Sequence, residues 1–495
     1  MSDLLILVPM AIEEAAVKTR GGRVLRTGMG PQRARIAAAR AQAIDAAGVA
    51  VVGLCGGANP ELRPGDVVCA TELRREDGSS VDVPGSALLV AALRRRGLRV
   101  HAGPMLSSDH VMPPAERTRL DGVLAVDMES AWLTEAAAGR PLAVLRVVVD
   151  GEGRRLTDPR IVADGIRALH SLRRASAVLD EWARAIGPRT VLLAGPRSFC
   201  AGVERAIDIV ELALAQRGAP IYVRKQIVHN HHVVADLERR GAVFVEELDE
   251  VPDGATAVFS AHGVSPSVRR NADGRPLDVI DATCPLVSKV HAEARRFAHE
   301  GRTIFLIGHE GHEEVEGTTG EAPESILLVQ DMHDAERIEA PDPDRVAYLT
   351  QTTLAVDETN QIVEVLRERF PSRRGPGSDD ICYATANRQE AVREVAREAA
   401  VILVAGSQTS SNSKRLVEVA EREGARAYLV DDETEVDIAW LHGVSTVGVT
   451  AGASAPERIV NRLVTALAAL GPVEVEERAT TSEAVQFKLP KELVS

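Results

Sequence analysis

Short apolar runs and longer segments of helical period alternate from residue 4 onward. Runs at 4–8, 49–54, 66–70 and 142–149 predict strands, and 31–46 and 166–185 predict helices. Strands and helices that alternate in this way predict an α/β domain. The Gly-Pro pair in "AIGPR" (185–189) stops the last helix, and a new apolar run, 190–194, starts at once. Residues 185–189 therefore read as a linker between a domain at 1–184 and a second at 190–495.

Beyond the linker one design recurs: an apolar lead-in, a cysteine, then an amphipathic helix. It appears in "TVLLAGPRSFCAGVERAIDIVELAL", "PLDVIDATCPLVSKVHAEARRFA" and "DDICYATANRQEAVREVAREAA". Val203, Ala206, Ile207, Val210 and Leu214 share one helix face, as do Val287, Val290, Ala294 and Phe297, and Val392, Val395, Ala396 and Ala399. Cys284 lies 84 residues after Cys200 and 98 before Cys382. A near-constant period predicts three related units, at about 190–280, 281–377 and 378–475, followed by a tail. Arranged about a pseudo-threefold axis, they would aim three thiols at one centre.

Composition narrows the possibilities. A chain of 495 residues exceeds one domain's usual length. A net charge of −14 with no basic run excludes a nucleic-acid surface. The first apolar run lacks a basic flank and meets Glu13 and Glu14, so it reads as a buried strand and not a signal peptide. No apolar stretch nears the roughly 18–20 residues that span a bilayer, so a cytoplasmic protein is expected. Five cysteines (Cys55, Cys69, Cys200, Cys284, Cys382) are too sparse for a disulfide framework. Free cysteines are often simply buried, and Cys55 and Cys69 read that way.

Three converging thiolates suit a metal centre. A cubane iron–sulfur cluster normally takes about four cysteines, so three would leave one iron open to a substrate. Structural zinc or a redox sensor are alternatives, but no fourth Cys or His pattern accompanies the three. Strand-end tips supply further polar groups: His229, His262, His312, Ser410, Ser411, Asn412 and Ser454. Such neutral donors and helix N-termini can cage an anion. Glu314 is the carboxylate nearest that cage, and a raised pKa there would let it deliver a proton. His231 and His232 read as structural.

These residues lie in "PRSFCAGVERAI", "VHN", "SAHGVS", "DATCPLVSKVH", "GHEGHEEVEGT", "TQTTL", "DDICYATANRQEAV", "SSNSKRL", "VGVTAGASAP" and "LPKEL". The set strongly resembles 4-hydroxy-3-methylbut-2-enyl diphosphate reductase, the LytB/IspH family, over about 190–493. The resemblance implies three α/β units around one [4Fe-4S] cluster held by Cys200, Cys284 and Cys382. The place of Cys284 at a helix N-terminus favours thiolate. It implies a diphosphate held by His229, His262, Ser410, Asn412 and Ser454, with Ser411 close by. Glu314 would relay protons, assisted by His312 and Thr352. The reaction implied is reductive removal of an allylic hydroxyl, giving isopentenyl and dimethylallyl diphosphate, with electrons from a ferredoxin or flavodoxin.

The first domain carries "TGMGP" (27–31), "GLCGGANPELRPGDVV" (53–68), "SSDHV" (107–111), "VDMESAW" (126–132) and "RVVVD" (146–150). Together these resemble the nucleoside phosphorylase and nucleosidase family, in particular its hopanoid-associated phosphorylase branch. The resemblance implies that Met128 and Glu129 hold a ribose and that Asp150 protonates a purine leaving group. Hydrolytic members carry a water-activating Glu in a pattern like "AMEEE". In "MAIEEAA" the matching position is Ala15, which points to phosphate as nucleophile, held at the glycine turn near Gly28 and Gly30. A catalytically inactive docking module is the alternative reading of this domain.

Overall fold

The computed structural model describes residues 4–17, 19, 21–151 and 161–493. The chain forms two compact units. The first holds 1–191 with 432–447 and 461–476, and the second holds 192–431, 448–460 and 477–495. The sequence suggests a single cut at 185–189, whereas two late segments group with the first unit. One cause is a long-range ion pair that no local pattern announces: Arg95 Nη2 donates to Asp437 Oδ1 at 2.8 Å.

The first unit is built on an eight-stranded mixed sheet. Its strand Leu4–Val8 is buried at all five positions and pairs in parallel with Gly22–Arg26 and Gly48–Gly57. A continuous apolar run is what a strand covered on both faces requires. Gly48–Gly57, Ala125–Asp127, Val100–Ser107, Val67–Arg75 and Leu142–Asp150 close into a ring, because the last pairs with both the first and the fourth. Leu5, Leu7, Val49, Val51, Val144 and Trp132 pack in its core. The helix expected over 166–185 is instead two, Ile161–Ser176 and Leu179–Ala185. Ser176 Oγ bonds the Arg173 carbonyl at 3.2 Å, the local competition by which a serine ends a helix.

In the second unit the three-unit expectation appears as three sheets of four, three and five strands. Each has the order second–first–third. Tyr222-bearing Ile221–Arg224 lies between Ala242–Val245 and Thr256–Phe259; Thr303–Ile307 lies between Ile326–Val329 and Val346–Thr350; Val401–Ala405 lies between Arg426–Val430 and Thr446–Ala451. Next to the third strand stands the segment that leads into the following cysteine. In the first sheet it is Asp278–Asp281, before Cys284. In the second it shrinks to one bridge, Ala347 to Arg374, before Cys382. In the third it is Arg189–Gly195, before Cys200. This corrects the placement of 190–194 in the first subunit: that strand completes the third sheet, because the repeat is cyclic.

Candidate active site

Each of the three cysteines is the N-cap of a helix: Cys200 of Ala201–Arg217, Cys284 of Pro285–His299 and Cys382 of Tyr383–Ala396. Pro285 occupies the first helical position, where its missing N–H removes no helical bond. All three thiols are free, half-buried, and line one cavity of about 100 Å³. A Cβ at Gly202 would stand 2.8 Å from Cys284 Sγ and 3.8 Å from Cys200 Sγ, so Cys284 Sγ can take its place only because residue 202 has no side chain. Burial pushes the Cys284 thiol up to about 12, against backbone N–H donors from Leu286 and Val287, and Cys200 and Cys382 add to the rise. Cys382 is pushed up to about 11 by burial and then by Cys200. The expectation that its helix N-terminus favours thiolate is therefore overturned for Cys284, because desolvation outweighs the dipole. Metal binding displaces such protons.

Glu314 is 1% exposed and lines the same cavity. Burial pushes its carboxyl up to about 7, opposed by two bonds from Thr352 and aided by nearby Asp380. Thr352 N–H donates to Glu314 Oε1 at 2.7 Å and Thr352 Oγ1 to Oε2 at 3.1 Å. The Thr352 carbonyl accepts from Cys382 N–H at 3.0 Å, so one residue couples the acid to a thiol-bearing turn. Asp380, itself pushed up to about 6 by burial, accepts from Thr350 N–H and pairs with Lys289.

His229, His262 and His312 come together above this acid. His229 stacks on His262 at 4.1 Å and 20°, and His312 meets them edge-on at 5.6 and 5.9 Å. Burial lowers His229 to about 4 and His312 to about 3, and His262 well below its ordinary value. They are therefore neutral at pH 7, each able to donate through one ring nitrogen. Lys225, a residue the motif reading missed, adds to all three shifts. It sits at φ 55°, an uncommon backbone state for lysine, and pairs with Glu316 at 3.2 Å. Opposite the imidazoles, Ser410 caps the helix Ser411–Arg422. Ser454 Oγ lies 3.3 Å from Ser410 Oγ and 3.1 Å from the His229 carbonyl, and Asn412 Oδ1 accepts from Ala453 N–H at 2.9 Å. His262 Nε2 is buried with no partner, a vacancy that a ligand acceptor or donor can fill. All the polar residues named from the sequence in this region line the cavity: His229, His262, His312, Glu314, Thr352, Ser410, Ser411, Asn412 and Ser454.

A second cavity, of about 310 Å³, lies in the first unit and is lined by Met128, Glu129 and Asp150 together with Glu13, Arg117 and Asp127. Here the sequence reading needs correction. Ala15 is exposed, and the carboxylate that enters the cavity is Glu13, 1% exposed. Its oxygens accept from Met10 N–H and Leu54 N–H, both at 2.7 Å, and burial raises its pKa against the pull of Arg146. Arg146, fully buried, pairs with Asp127 at 2.8 Å and reaches Glu129 at 3.7 Å. Arg146 and Asp150 lie on one strand, Leu142–Asp150, whose register shifts between Val148 and Asp150. Asp150 accepts from Arg117 at 2.8 Å. The glycine turn does not offer its donors to phosphate: Gly30 N–H already donates to Glu129 Oε1 at 2.9 Å. Four carboxylates around two guanidiniums make a poor anion site.

A family profile described as "LytB protein" matches residues 191–468, and one described as "Phosphorylase superfamily" matches 19–181. Over 306 residues the chain is 61% identical to the 4-hydroxy-3-methylbut-2-enyl diphosphate reductase of Acidothermus cellulolyticus, covering 62% of this chain and 90% of that one. Over 313 residues it is 57% identical to a Mycobacterium tuberculosis protein named 4-hydroxy-3-methylbut-2-enyl diphosphate reductase 1, covering 62% and 95%. Among solved structures, a Plasmodium falciparum E-1-hydroxy-2-methyl-but-2-enyl-4-diphosphate reductase superposes with a TM-score of 0.60 at 38% identity, covering 62% of this chain and 98% of that one. Among the described residues, no helix is long and apolar enough to cross a membrane.

Replacing Cys200, Cys284 or Cys382 by Ser is expected to abolish iron and sulfide binding after anaerobic isolation, and Cys55→Ser and Cys69→Ser to leave it intact. Gly202→Ala should behave like the first group, since its methyl would occupy the approach of Cys284 to Cys200. Full iron content in Cys284→Ser would sink the assignment.

Proposed function

The chain belongs to the LytB protein family, and from that premise we propose that its second unit reduces 4-hydroxy-3-methylbut-2-enyl diphosphate to isopentenyl and dimethylallyl diphosphate. Two electrons and two protons are consumed, the allylic C–O bond breaks, and water leaves. The observation that carries this reading is a single cavity lined by three helix-capping thiols, a buried acid and three neutral imidazoles. The donor set fits an iron–sulfur cluster: three thiols without disulfide partners, with residue 202 pared to glycine between two of them. Cys200, Cys284 and Cys382 would hold a [4Fe-4S] cluster, which would supply single electrons and Lewis acidity to the reaction. A ferredoxin or flavodoxin fits as the electron source.

The chain's own residues do the rest. Ser410, Ser411, Asn412 and Ser454 present hydroxyl, amide and helix N-terminal donors to the diphosphate. His229 and His262 close the cage from the other side, and neutral imidazoles avoid the cost of burying cations before substrate arrives. The grip fixes the allylic end near Glu314, converting binding into orientation. Thr352 holds both oxygens of Glu314, and His312 Nδ1 accepts from Glu314 N–H at 3.2 Å, so the acid cannot swing away. A carboxyl at about 7 is partly protonated at neutral pH and can deliver a proton to the departing oxygen.

For the first unit, the Phosphorylase superfamily match and the second cavity support cleavage of a nucleoside's N-glycosidic bond. Buried Glu13 favours water as the attacking group in place of the phosphate expected from the sequence. Glu13 would take the water proton, Met128 and Glu129 would hold the ribose, and Asp150 would protonate the leaving base. A hopanoid-related nucleoside remains the substrate class to which the sequence resemblance points.

Two measurements test these readings. With excess reductant, kcat of the reductase is expected to fall about tenfold per pH unit above about 7, where Glu314 loses its proton. Glu314→Gln should remove that limb and lower kcat by about 10²–10⁴ with KM little changed. Glu313, also pushed up to about 7 by burial, takes Ser260 Oγ, and Glu313→Gln should keep the limb. An unaltered kcat in Glu314→Gln refutes the role. Separately, adenine release from adenosylhopane and simpler 5′-substituted adenosines is expected to be independent of phosphate and to fall about 10²–10⁴ in Glu13→Gln. A rate that rises with phosphate would restore phosphorolysis, and no release from any nucleoside would favour the docking module.

A further inference from the structure

Arg205, Lys289 and Arg388 stand five, five and six residues after Cys200, Cys284 and Cys382, each on the helix its cysteine caps. A long side chain at that depth runs back toward its helix N-terminus. Each ends on the backbone of a different cysteine's lead-in. Arg205 Nη1 donates to the carbonyls of Ala282 (3.2 Å) and Thr283 (3.1 Å), immediately before Cys284. Lys289 Nζ donates to the carbonyls of Ser378 (2.6 Å) and Asp379 (3.0 Å) and to Asp380 Oδ1 (3.1 Å), two to four residues before Cys382. Arg388 donates to the carbonyls of Ser198 (2.7 Å) and Phe199 (3.2 Å), immediately before Cys200.

We infer that these three cations are positioning residues that form a closed ring of clamps, each fixing the cysteine next in the cycle and not its own. The inference deepens the proposed cluster site and rests on that reading for its redox consequence. The clamped carbonyls belong to the two residues before Cys284 and Cys200 and to those three and four residues before Cys382, so holding them restrains the turn from which each thiol points. Three geometrically equivalent contacts from non-equivalent sequence, closing on themselves, are what a threefold site requires and what accidental surface pairing would not produce. Charge matters as well as grip. The ring puts a cation on the lead-in to each of three sulfurs that repel one another when ionised, and positive charge there would stabilise the more negative, reduced state of whatever they hold. Arg388 shares its charge with Glu483 (3.0 Å) and Lys289 with Asp380, while among the described residues Arg205 has no carboxylate partner. Arg205 should therefore have the largest electrostatic effect of the three.

The test uses the full chain with Arg205→Gln, Lys289→Gln and Arg388→Gln, the conservative Arg205→Lys, and the exposed control Arg239→Gln. Removing a partner one shell from a metal ligand typically weakens metal holding by about 10–100-fold. Anaerobic iron loss to a chelator should accelerate by that range in the Gln variants, with a lower midpoint potential, most in Arg205→Gln. Arg205→Lys should recover most of both, and the control should match wild type. A second readout needs no cluster: iodoacetamide labelling of the iron-free protein, resolved by cysteine in a mass spectrometer. Arg205→Gln should speed labelling at Cys284, Lys289→Gln at Cys382 and Arg388→Gln at Cys200. Unchanged labelling, or an equal gain at all three cysteines as in general unfolding, overturns the ring. If wild type binds no iron at all, the proposed reductase reading fails while the labelling pattern still decides the clamps.

Discussion

Three sulfurs crowded into one small cavity repel each other when ionised and resist ionising when buried, and the second unit is arranged around that conflict. Its helices start at the sulfurs, so peptide dipoles and free N–H groups face them. Those dipoles alone do not win, as the high pKa values of Cys284 and Cys382 show. Burial thus holds the Cys284 and Cys382 thiols against ionisation, and a metal centre bound there would take their protons' place. Loading the centre is then a proton-releasing step. The same dry interior that protects the thiols holds Glu314 near neutrality and keeps the imidazoles uncharged. One physical condition, desolvation, thus sets the protonation of the acid, the cage and the thiols together.

Much of this was legible in the sequence because its signals were local. A cysteine between an apolar run and an amphipathic helix can be read from about twenty residues, and the strand-end tips with His, Ser and Asn can be read the same way. Illegible features depend on what meets across long separations. Lys225 sits between a strand and the "VHN" tip with no periodic cue, and only the fold brings it near three histidines. Gly202 looks like a helix glycine until Cys284 is seen beside it. Motif alignment pointed to Ala15, because a short helix of six residues offers several registers and only packing decides which residue turns inward. Glu13 won that position through two backbone N–H donors that lie three residues before it and 41 after it. The strand over 189–195 was assigned to the wrong sheet for a similar reason: sequence order suggests a neighbour, and cyclic repetition supplied a distant one.

In the first unit polarity is handled differently. Arg146 has no exposure and is surrounded by Asp127, Glu129 and Glu13, so its charge is balanced within the cavity wall. Breaking such a buried pair by removing one partner typically costs about 3–5 kcal/mol, which ties the integrity of the fold to the residues proposed to do chemistry. Arg117 has a similar relation to Asp150. The proposed acid thus starts as the partner of a guanidinium, a contact that must give way before Asp150 can serve a purine.

The cyclic placement of Arg189–Gly195 has a consequence during synthesis. Its sheet neighbours include Thr446–Ala451, about 250 residues downstream. At about 5–20 residues per second, the ribosome needs on the order of 10–50 s to produce them. For that interval an apolar strand, "RTVLLAG", has emerged with both edges unpaired, the condition under which strands recruit wrong partners. Most of the first unit has by then left the ribosome, but its segments 432–447 and 461–476, like the closing strands of the second unit, are still to be made. A chain released early would expose that edge permanently, so the final fifty residues guard the nascent protein against aggregation as well as completing its third sheet.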